Sequence, residues 1–527
     1  MSAENDPGPD QMPSAGAAGQ LGRRELQDRA IRGASWTMLH TITAVPMGFV
    51  VNLILARALG VVHYGRLAFL MTLMDVVGGI IAVGVTTGTL QFGAKAHAVG
   101  RTAEVQRLLS QAQGFRLLVA APLLTIVVVL IADVPPPMLI IAIVFGVWVP
   151  GFLDGASTCM AIENKTAAGA KNAMVVNLLT QVSVLLALWL VGTADAVWAA
   201  RLAAGGLGVG LALLVIEPTY RRAVLSPRLP VAMPPGFWKF ALPTTAGWLV
   251  GTLVVSRTEV FFLNWLGDGA AVGVFALACG LAAHIFAPAQ ALVGPLIPAI
   301  SGLREVDTDS VGPAFERALR ATALLVSILF VLAVPAFALL VPTFYGSEYA
   351  AAEPMFFALS ASGAFLVVGA PVSAFVMGRL AGRTFMNVNL VALVIDVTVA
   401  VALIPPYGGW GAVVANIAGA LTQLLLLLSS EMRALDLSWS ALVKHVRCLP
   451  LAVAIATFCW QVAGRFDLGR PLLACGAAGF GATAYLVALR VAGGGLGHQD
   501  AEAIARVVPA RAERAVRRGL ALVTSHA

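Results

Sequence analysis

The sequence predicts an all-α polytopic membrane protein. Of its 527 residues, 59% are hydrophobic and only 12% carry a charge, and the mean hydropathy is +0.87. Soluble domains carry roughly twice that share of charged residues. The apolar residues also fall in long stretches, and an apolar helix needs about 20 residues to cross the ~30 Å hydrocarbon core of a bilayer. No strand is needed to account for any part of the sequence, so we expect a helical bundle in the membrane.

Fourteen stretches have the length and apolarity of a membrane-spanning helix. They cover approximately residues 34–57, 67–93, 115–132, 138–160, 172–193, 196–216, 240–263, 271–300, 321–341, 354–376, 386–404, 410–430, 446–463 and 471–491. The segments between them are short, so the sequence predicts no extramembrane domain on either side.

The distribution of cations predicts the orientation of these spans. Of the 34 Lys and Arg residues, 28 lie in loops on one side and four on the other, and Arg201 and Arg257 lie within spans. The side rich in Lys and Arg is normally cytoplasmic, so both termini are expected in the cytoplasm. Arginine far exceeds lysine, and Ala, Gly and Val dominate, which is typical of a high-GC bacterial genome, so we expect a bacterial cell membrane. The four cations on the opposite side are Arg57, Arg66, Arg465 and Arg470.

The composition divides the chain into six segments. We expect residues 1–33 to form a disordered cytoplasmic N-terminus, because the first 22 are polar or small and lack the apolar core of a signal peptide. The other segments are an N-lobe of spans 1–6 (34–217), a proline-containing cytoplasmic linker (218–239), a C-lobe of spans 7–12 (240–430), spans 13–14 (431–491) and a basic cytoplasmic tail (492–527). The tail has helically spaced apolar residues and arginines that suit an anionic membrane surface.

Two pairs of similar stretches indicate that the lobes are a repeat. "LARALGVVHYGRLAF" resembles "LNWLGDGAAVGVFAL", which places Gly60 on Gly267 and Gly65 on Gly273. "ENKTAAGAKNAMVVNLL" lies over "MGRLAGRTFMNVNLVAL", which places Lys165 on Arg379. Six spans per unit keep both copies in the same orientation, which is the parallel-repeat arrangement of some secondary transporters. We therefore expect a substrate cavity between the two lobes.

Charged residues within or at the ends of spans are candidates for function, because they are costly in lipid. Those expected to bind substrate are Arg57, Arg201, Arg257 and Glu259. Those expected to line the cavity or to take part in coupling are Asp75, His284 and Asp396. For each intramembrane charge a structural ion pair or interhelical hydrogen bond is the alternative interpretation, and this applies to Asp154 as well.

Helix breakers within two spans have two interpretations. Pro288 in span 8 removes a backbone donor and is either a hinge for alternating access or a static kink. Gly78 and Gly79 in span 2 favour close helix packing, which small residues commonly allow in membranes.

Several classes of protein are excluded by what the sequence lacks. It has no Walker sequence, no His, Cys or Glu cluster with metal-ligand spacing, and no Gly-x-Ser-x-Gly motif. Its loops are too short to build an enzyme active site. The five cysteines show no Cys-x-x-Cys spacing and are expected to be core residues. We therefore expect no enzyme activity, no metal, no cofactor and no nucleic-acid partner.

The N-terminal stretch "IRGASWTMLHTITAVPMGFVVNLILARALGVVHYGRLAF" resembles the opening of Wzx-type polysaccharide biosynthesis flippases, in which a Gly-Ala-x-Trp start leads to Ala-Arg-x-Leu-Gly and then Tyr-Gly. "YGGWGAVVAN" at span 12 and the fourteen spans are also similar to that family and to the wider multidrug/oligosaccharidyl-lipid/polysaccharide (MOP) exporter superfamily. The resemblance covers about residues 28–491, and Arg57 matches the arginine of the Ala-Arg-x-Leu-Gly motif.

The resemblance implies a flippase for a polyprenyl-pyrophosphate-linked oligosaccharide, moved from the cytoplasmic to the outer leaflet for cell-surface polysaccharide biosynthesis. Membrane lipids are then partners, and a glycan polymerase or glycosyltransferases are candidate partners. Two alternatives remain open. One is a drug or organic-cation antiporter of the same superfamily, which the acidic residues in spans would suit. The other is a non-transporting membrane partner of a glycan-assembly complex.

Overall fold

The protein is helical throughout the part that the structure describes. The computed structural model describes residues 15–98, 100–163, 165–231, 233–254, 258–290, 300, 309–379, 382–466 and 468–491. Over these residues there are sixteen helices and no strand. They are α1 (Ala15–Ala98), α2 (Thr102–Ile131), α3 (Pro136–Ile162), α4 (Thr166–Leu190), α5 (Ala194–Leu214), α6 (Pro218–Val224), α7 (Phe237–Val254), α8 (Thr258–Trp265), α9 (Gly269–Gln290), α10 (Val311–Tyr345), α11 (Ala352–Gly378), α12 (Gly382–Tyr407), α13 (Gly409–Ala434), α14 (Trp439–Val446), α15 (Cys448–Ala463) and α16 (Arg470–Val491).

Helix α1 folds back on itself at Gly60. Gly60 has φ 69° and ψ 171°, a conformation that glycine adopts without the steric cost of a side chain. The Tyr64 hydroxyl donates a hydrogen bond to the Asn52 side-chain oxygen at 2.7 Å. Twelve residues of straight helix would separate the two residues by about 18 Å, so the two arms of α1 lie side by side. We call residues 15–59 the first arm and 61–98 the second arm.

The predicted spans fall on helix in the part of the chain that the structure describes, apart from a few residues mostly at their ends. Eleven helices of the described chain are long and apolar enough to cross a membrane, or twelve if α7 and α8, which are bent by 55° relative to each other, form one span. That count takes residues 39–79 of α1 as one helix, although α1 contains both predicted spans 1 and 2. It also leaves out α15, which has only 16 residues. The number fourteen and the boundaries of the lobes stay predictions.

Helix α1 begins at Ala15, and "ELQDRA" and its neighbours in its first part are mostly residues with high helix propensity. The disordered segment 1–33 stays a prediction. One expectation from the sequence is wrong. The Gly78-Gly79 pair does not mediate close packing, since a Cβ at either position would meet no described atom within 4 Å. Close packing by glycine occurs elsewhere in the same arm, at Gly65 and at Gly88.

A buried apolar core runs continuously through both predicted lobes. It includes Trp198 of α5, Phe275 of α9 and Phe356 of α11, all with 0% exposure. The indole Nε1 of Trp198 donates to the carbonyl oxygen of Leu70 at 3.1 Å, so its one polar group is satisfied within the core. The core fixes the helices that surround the space between the lobes.

A cation makes a similarly placed contact in each of the two predicted lobes. The Lys165 amine, between α3 and α4, donates to the carbonyl oxygen of Val215 just after α5 at 3.0 Å. The Arg379 guanidinium, between α11 and α12, bonds Glu431 at 3.0 Å and Ser430 at 3.1 Å near the end of α13. In each half, the cation after the fourth predicted span thus reaches the end of the sixth. This agreement supports the predicted repeat.

The last two long helices pack against α10. At their outer end Arg470 forms an ion pair with Glu353 at 2.9 Å, and the Trp460 indole donates to the same carboxylate at 3.2 Å. Spans 13 and 14 therefore attach to the outside of the C-lobe and leave the space between the lobes free.

Candidate functional site

A cavity of about 430 Å³ lies between helices of the two predicted lobes. Both arms of α1, together with α4 and α5, form its N-lobe side, and α8 and α9 form its C-lobe side. The cavity is in the position that the sequence predicts for a substrate site. Its volume falls within the ~300–1,000 Å³ range of small-ligand sites.

The two sides of the cavity differ in chemistry. The N-lobe side carries Arg201, Asp75, Gln181 and Asn52 among aliphatic side chains. The C-lobe side carries small or apolar residues and His284, which is its one titratable ring. Three predicted residues, Arg201, Asp75 and His284, thus meet around one space although they belong to spans 6, 2 and 8.

Arg201 is the cation of this cavity. Its guanidinium makes no ion pair with any described residue. It also borders a second cavity of about 400 Å³, which shares Gln181 with the first and is lined by His40, Asn172 and Asn177. A partly buried guanidinium without a carboxylate partner is suited to bind an anionic group of a ligand.

The ring of His284 is held by its own helix. Its Nδ1 lies 2.6 Å from the carbonyl oxygen of Gly280, which accepts hydrogen bonds but donates none, so Nδ1 is the donor. The opposite nitrogen, Nε2, faces Gly48 of the first arm of α1, where a Cβ would lie 3.7 Å away. The Nε2 atom is therefore directed at the N-lobe across the cavity.

The lobes are in contact at the end of the cavity where α1 turns. Gly65 of the second arm packs against the backbone of Gly273 in α9, with 2.8 Å between a Cβ built on Gly65 and the Gly273 nitrogen. The Tyr349 hydroxyl donates to the Ala56 carbonyl oxygen at 3.0 Å. We call these contacts the turn-side closure, which by the predicted orientation is the outer closure.

Arg57 belongs to this closure and does not line the cavity. Its Nη2 lies 3.4 Å from the carbonyl oxygen of Thr343, near the C-terminal end of α10. A cation is favoured at the C-terminus of a helix by the helix dipole. Arg57 thus joins the N-lobe to the C-lobe, and the structure gives it a position at the rim of the cavity.

Other outer cations also have structural partners. Arg66 bonds Asp195 at 2.7 Å and the Asp133 carbonyl oxygen at 2.8 Å, and Arg470 pairs with Glu353. Two of the four cations on the predicted outer side, Arg66 and Arg470, are thus held by ion pairs within the protein.

The structure does not describe the side chains of two predicted site residues, Arg257 and Pro288. Arg257 lies outside the described residues, in the gap between α7 and α8. Pro288 lies near the end of α9, and the backbone remains helical through it. The hinge role of Pro288 and the binding role of Arg257 stay predictions.

Glu259 and Asp396 do not line the cavity; they form an acidic pair within the C-lobe. Both side chains have 0% exposure, and Asn416 of α13 lies beside them. The Asn416 oxygen accepts a hydrogen bond from Ser362 at 2.6 Å, so its amide group is left to face the carboxylates. Among the described residues, no Lys or Arg pairs with either acid. The structure thus separates Glu259 from the other residues expected to bind substrate.

An ion pair that the sequence did not predict joins the buried Arg116 to Asp154 in the predicted N-lobe. The helix α2 begins at Thr102, so Arg116 lies inside it, at a π-helical turn, with 1% exposure. Its Nη2 lies 3.2 Å from Asp154 and its Nη1 donates to Gln113 at 3.1 Å. The structural interpretation of Asp154 therefore holds. Because the first residues of α2 are polar, the hydropathy of the sequence placed the start of this span at residue 115, whereas the helix begins at Thr102.

The fold and the cavity define a multi-pass membrane protein with a transporter fold. A similar solved structure is the lipid II flippase MurJ in an inward closed conformation, with a TM-score of 0.62 and 13% identity over 86% of this chain and 98% of that chain. A mutant of the MATE transporter VcmN of Vibrio cholerae has a TM-score of 0.55 and 15% identity over 78% of this chain and 98% of that chain. A MOP superfamily transporter from Pyrococcus furiosus has a TM-score of 0.54 and 14% identity over 78% of this chain and 97% of that chain. A search of curated protein sequences finds no significant match.

Residues 54–354, more than half of the chain, match the model of a family described as "Polysaccharide biosynthesis protein". The chain belongs to this family, and its fold is that of the MOP superfamily. The matched region includes the turn of α1, the turn-side closure and most of the residues that line the interlobe cavity.

Proposed function

We propose that the protein moves a polyprenyl-pyrophosphate-linked oligosaccharide from the cytoplasmic to the outer leaflet of a bacterial cell membrane by alternating access. The observation that carries the proposal is the guanidinium of Arg201, which lies in a cavity between the two predicted lobes and has no ion-pair partner among the described residues. A pyrophosphate is a doubly or more highly charged anion whose oxygens match the fork of a guanidinium. The amides of Gln181, Asn172 and Asn177 offer donors and acceptors to sugar hydroxyls.

The polyprenyl tail of the substrate lies in the bilayer, apart from the head group. The cavity is too small for a long polyprenyl chain, so the tail remains in the bilayer while the head group enters between the lobes. The turn-side closure at Gly65 and Tyr349 blocks release of the head group to the outside. Alternating access then requires this closure to open, which would break the contact of Arg57 with the Thr343 carbonyl oxygen.

The antiporter alternative fits the cavity less well. A cavity for organic cations is expected to be dominated by acids and aromatic rings, whereas this one contains one acid, Asp75, beside Arg201 and His284. The two buried acids of the C-lobe are not exposed to the cavity.

We propose that Glu259 and Asp396 couple transport to a proton or a monovalent cation. Two adjacent carboxylates cannot both stay ionised and unpaired in a water-excluded site, because of desolvation and like-charge repulsion. Binding and release of a positive charge at the pair would change the packing of α8 against α12 and α13. A glycan polymerase or glycosyltransferases are the proposed cellular partners, since they would supply or consume the substrate.

A leaflet-translocation assay tests the function. Purified full-length protein is reconstituted in liposomes that contain a fluorescent polyprenyl-pyrophosphate disaccharide, and the outer-leaflet fraction is followed by an impermeant quencher. Translocation above that of protein-free liposomes is expected. A parallel experiment uses liposomes with a fluorescent organic cation in place of the labelled lipid. Accumulation of the cation with no lipid translocation would establish the antiporter instead.

A further inference from the structure

A second charged pocket lies on the linker, away from the interlobe cavity. The start of α2, helix α6 and the segment after it line a space of about 570 Å³. Arg107, Arg222 and Arg228 face this space, and no carboxylate lines it. Of the nearby acids, Glu104 is paired with Arg101 at 3.5 Å. Among the described residues, none of the three arginines forms an ion pair, so three positive charges converge on one space without a counter-charge.

The backbone fixes the position of this pocket. The Arg228 amide donates to the Ser110 carbonyl oxygen at 2.9 Å, and the Ser110 hydroxyl donates to the Ala223 carbonyl oxygen at 2.9 Å. A Cβ on Gly114 would overlap the Arg228 carbonyl group, so the linker lies directly on α2. The arginines are thus brought together by main-chain contacts rather than by their own side chains.

Exposed apolar side chains lie in the same segment of the chain as Arg222 and Arg228. Leu225, Leu229 and Val231 have exposed fractions of 41%, 62% and 85%. Exposed aliphatic groups in water are unfavourable by about 25 cal/mol per Å² relative to burial. Arginines next to exposed aliphatic residues are typical of segments that lie in a membrane interface, with the apolar groups at the acyl chains and the cations at the phosphates. The surface of the linker therefore has the chemistry of a lipid headgroup contact.

We propose that Arg107, Arg222 and Arg228 bind the phosphate headgroup of an anionic phospholipid. Guanidinium groups bind phosphate oxygens in pairs of parallel hydrogen bonds. By the distribution of cations along the chain the linker is on the cytoplasmic side, where the leaflet surface is negative. The proposal goes beyond translocation: the bound lipid holds the connection between the lobes at the membrane surface and is not the transported substrate.

Lipid binding to the full-length chain tests this site. The triple variant R107Q/R222Q/R228Q is compared with the control R383Q/R433Q/R490Q, which removes three other exposed cations and the same charge. Native mass spectrometry in detergent measures retention of phosphatidylglycerol and of zwitterionic phosphatidylcholine. Wild type and control are expected to prefer phosphatidylglycerol, and the triple variant is expected to bind it at least about tenfold more weakly.

A single substitution guards against misfolding of the triple variant. Arg107→Gln alters one exposed side chain and is expected to weaken phosphatidylglycerol binding about fivefold with an unchanged melting temperature. Equal binding by the triple variant and the control would overturn the proposal. Displacement of phosphatidylglycerol by an equal concentration of inorganic pyrophosphate would also overturn it, because the pocket would then be a site for a free anion.

Discussion

Gly65 and Gly273 pack backbone against backbone where the N-lobe meets the C-lobe. A Cβ on Gly65 would overlap the carbonyl oxygen of Gly269, and a Cβ on Gly273 would overlap that of Val61. The contact is reciprocal, as expected for equivalent residues beside a two-fold axis. The two glycines are also the residues that the sequence places on each other in the repeat. Their contact makes the turn-side closure sensitive to a single methyl group.

Gly65→Ala is expected to open the turn-side closure. The added methyl group meets main-chain atoms, which cannot move without separating α1 from α9, so the outward-open population rises. Spin labels at Ala58 and Thr343, measured by pulsed electron resonance, would show a longer distance than in the unsubstituted protein. Gly78→Ala is the matched control in the same arm, since a Cβ there meets no described atom. Identical distance distributions for the two variants would contradict this view of the closure.

Arg201→Gln is expected to reduce translocation about tenfold to hundredfold, because a charge-assisted hydrogen bond is worth ~1.5–3 kcal/mol. Expression and melting temperature should be retained, since Arg201 has no ion-pair partner to lose among the described residues. Arg465→Gln, at an exposed outer cation, is expected to leave translocation unchanged. Normal translocation by the Arg201 variant would remove this residue from the substrate site.

Glu259→Gln is expected to abolish the response of transport to a proton or sodium gradient and to raise the melting temperature. Replacing one buried carboxylate with an amide relieves like-charge repulsion in a desolvated site, on the order of 1 kcal/mol or more. Gradient dependence is measured in liposomes with imposed pH or sodium differences, and stability by scanning fluorimetry. Asp396→Asn should have the same two effects. A Glu259 variant that is both gradient-sensitive and less stable would show that the pair is structural.

Asp154→Asn is expected to destabilise the N-lobe by about 3 kcal/mol, because removal of one partner leaves the Arg116 charge buried and unpaired. Simultaneous replacement by R116M and D154L should recover most of the loss, since similar apolar groups need no counter-charge. Chemical denaturation in detergent, followed by tryptophan fluorescence, compares the three proteins. A double variant as unstable as the single variant would mean that the hydrogen bonds to Gln113 matter more than the ion pair.

The sequence by itself determined the helical class and the apolar segments that are able to span a membrane, and it predicted the equivalence of Gly60 with Gly267. Hydropathy is a property of consecutive residues, and a positive φ, found at both glycines (69° and 77°), is a local requirement of a turn. It also predicted Arg201, Asp75 and His284 as site residues, because a polar or charged residue in an apolar span can be recognised without knowing which way its side chain points. These inferences need no knowledge of which helices are neighbours.

Only the tertiary structure decided which of these residues meet. It placed Glu259 beside Asp396, 137 positions away in the chain, and it buried Arg116 in an ion pair, because the face of a helix that a side chain occupies is set by packing against distant helices. It placed Arg57 at the rim of the cavity, where its guanidinium contacts the Thr343 carbonyl oxygen near the end of α10. Pairing energies and shape complementarity across helices depend on three-dimensional contacts that one-dimensional periodicity does not contain.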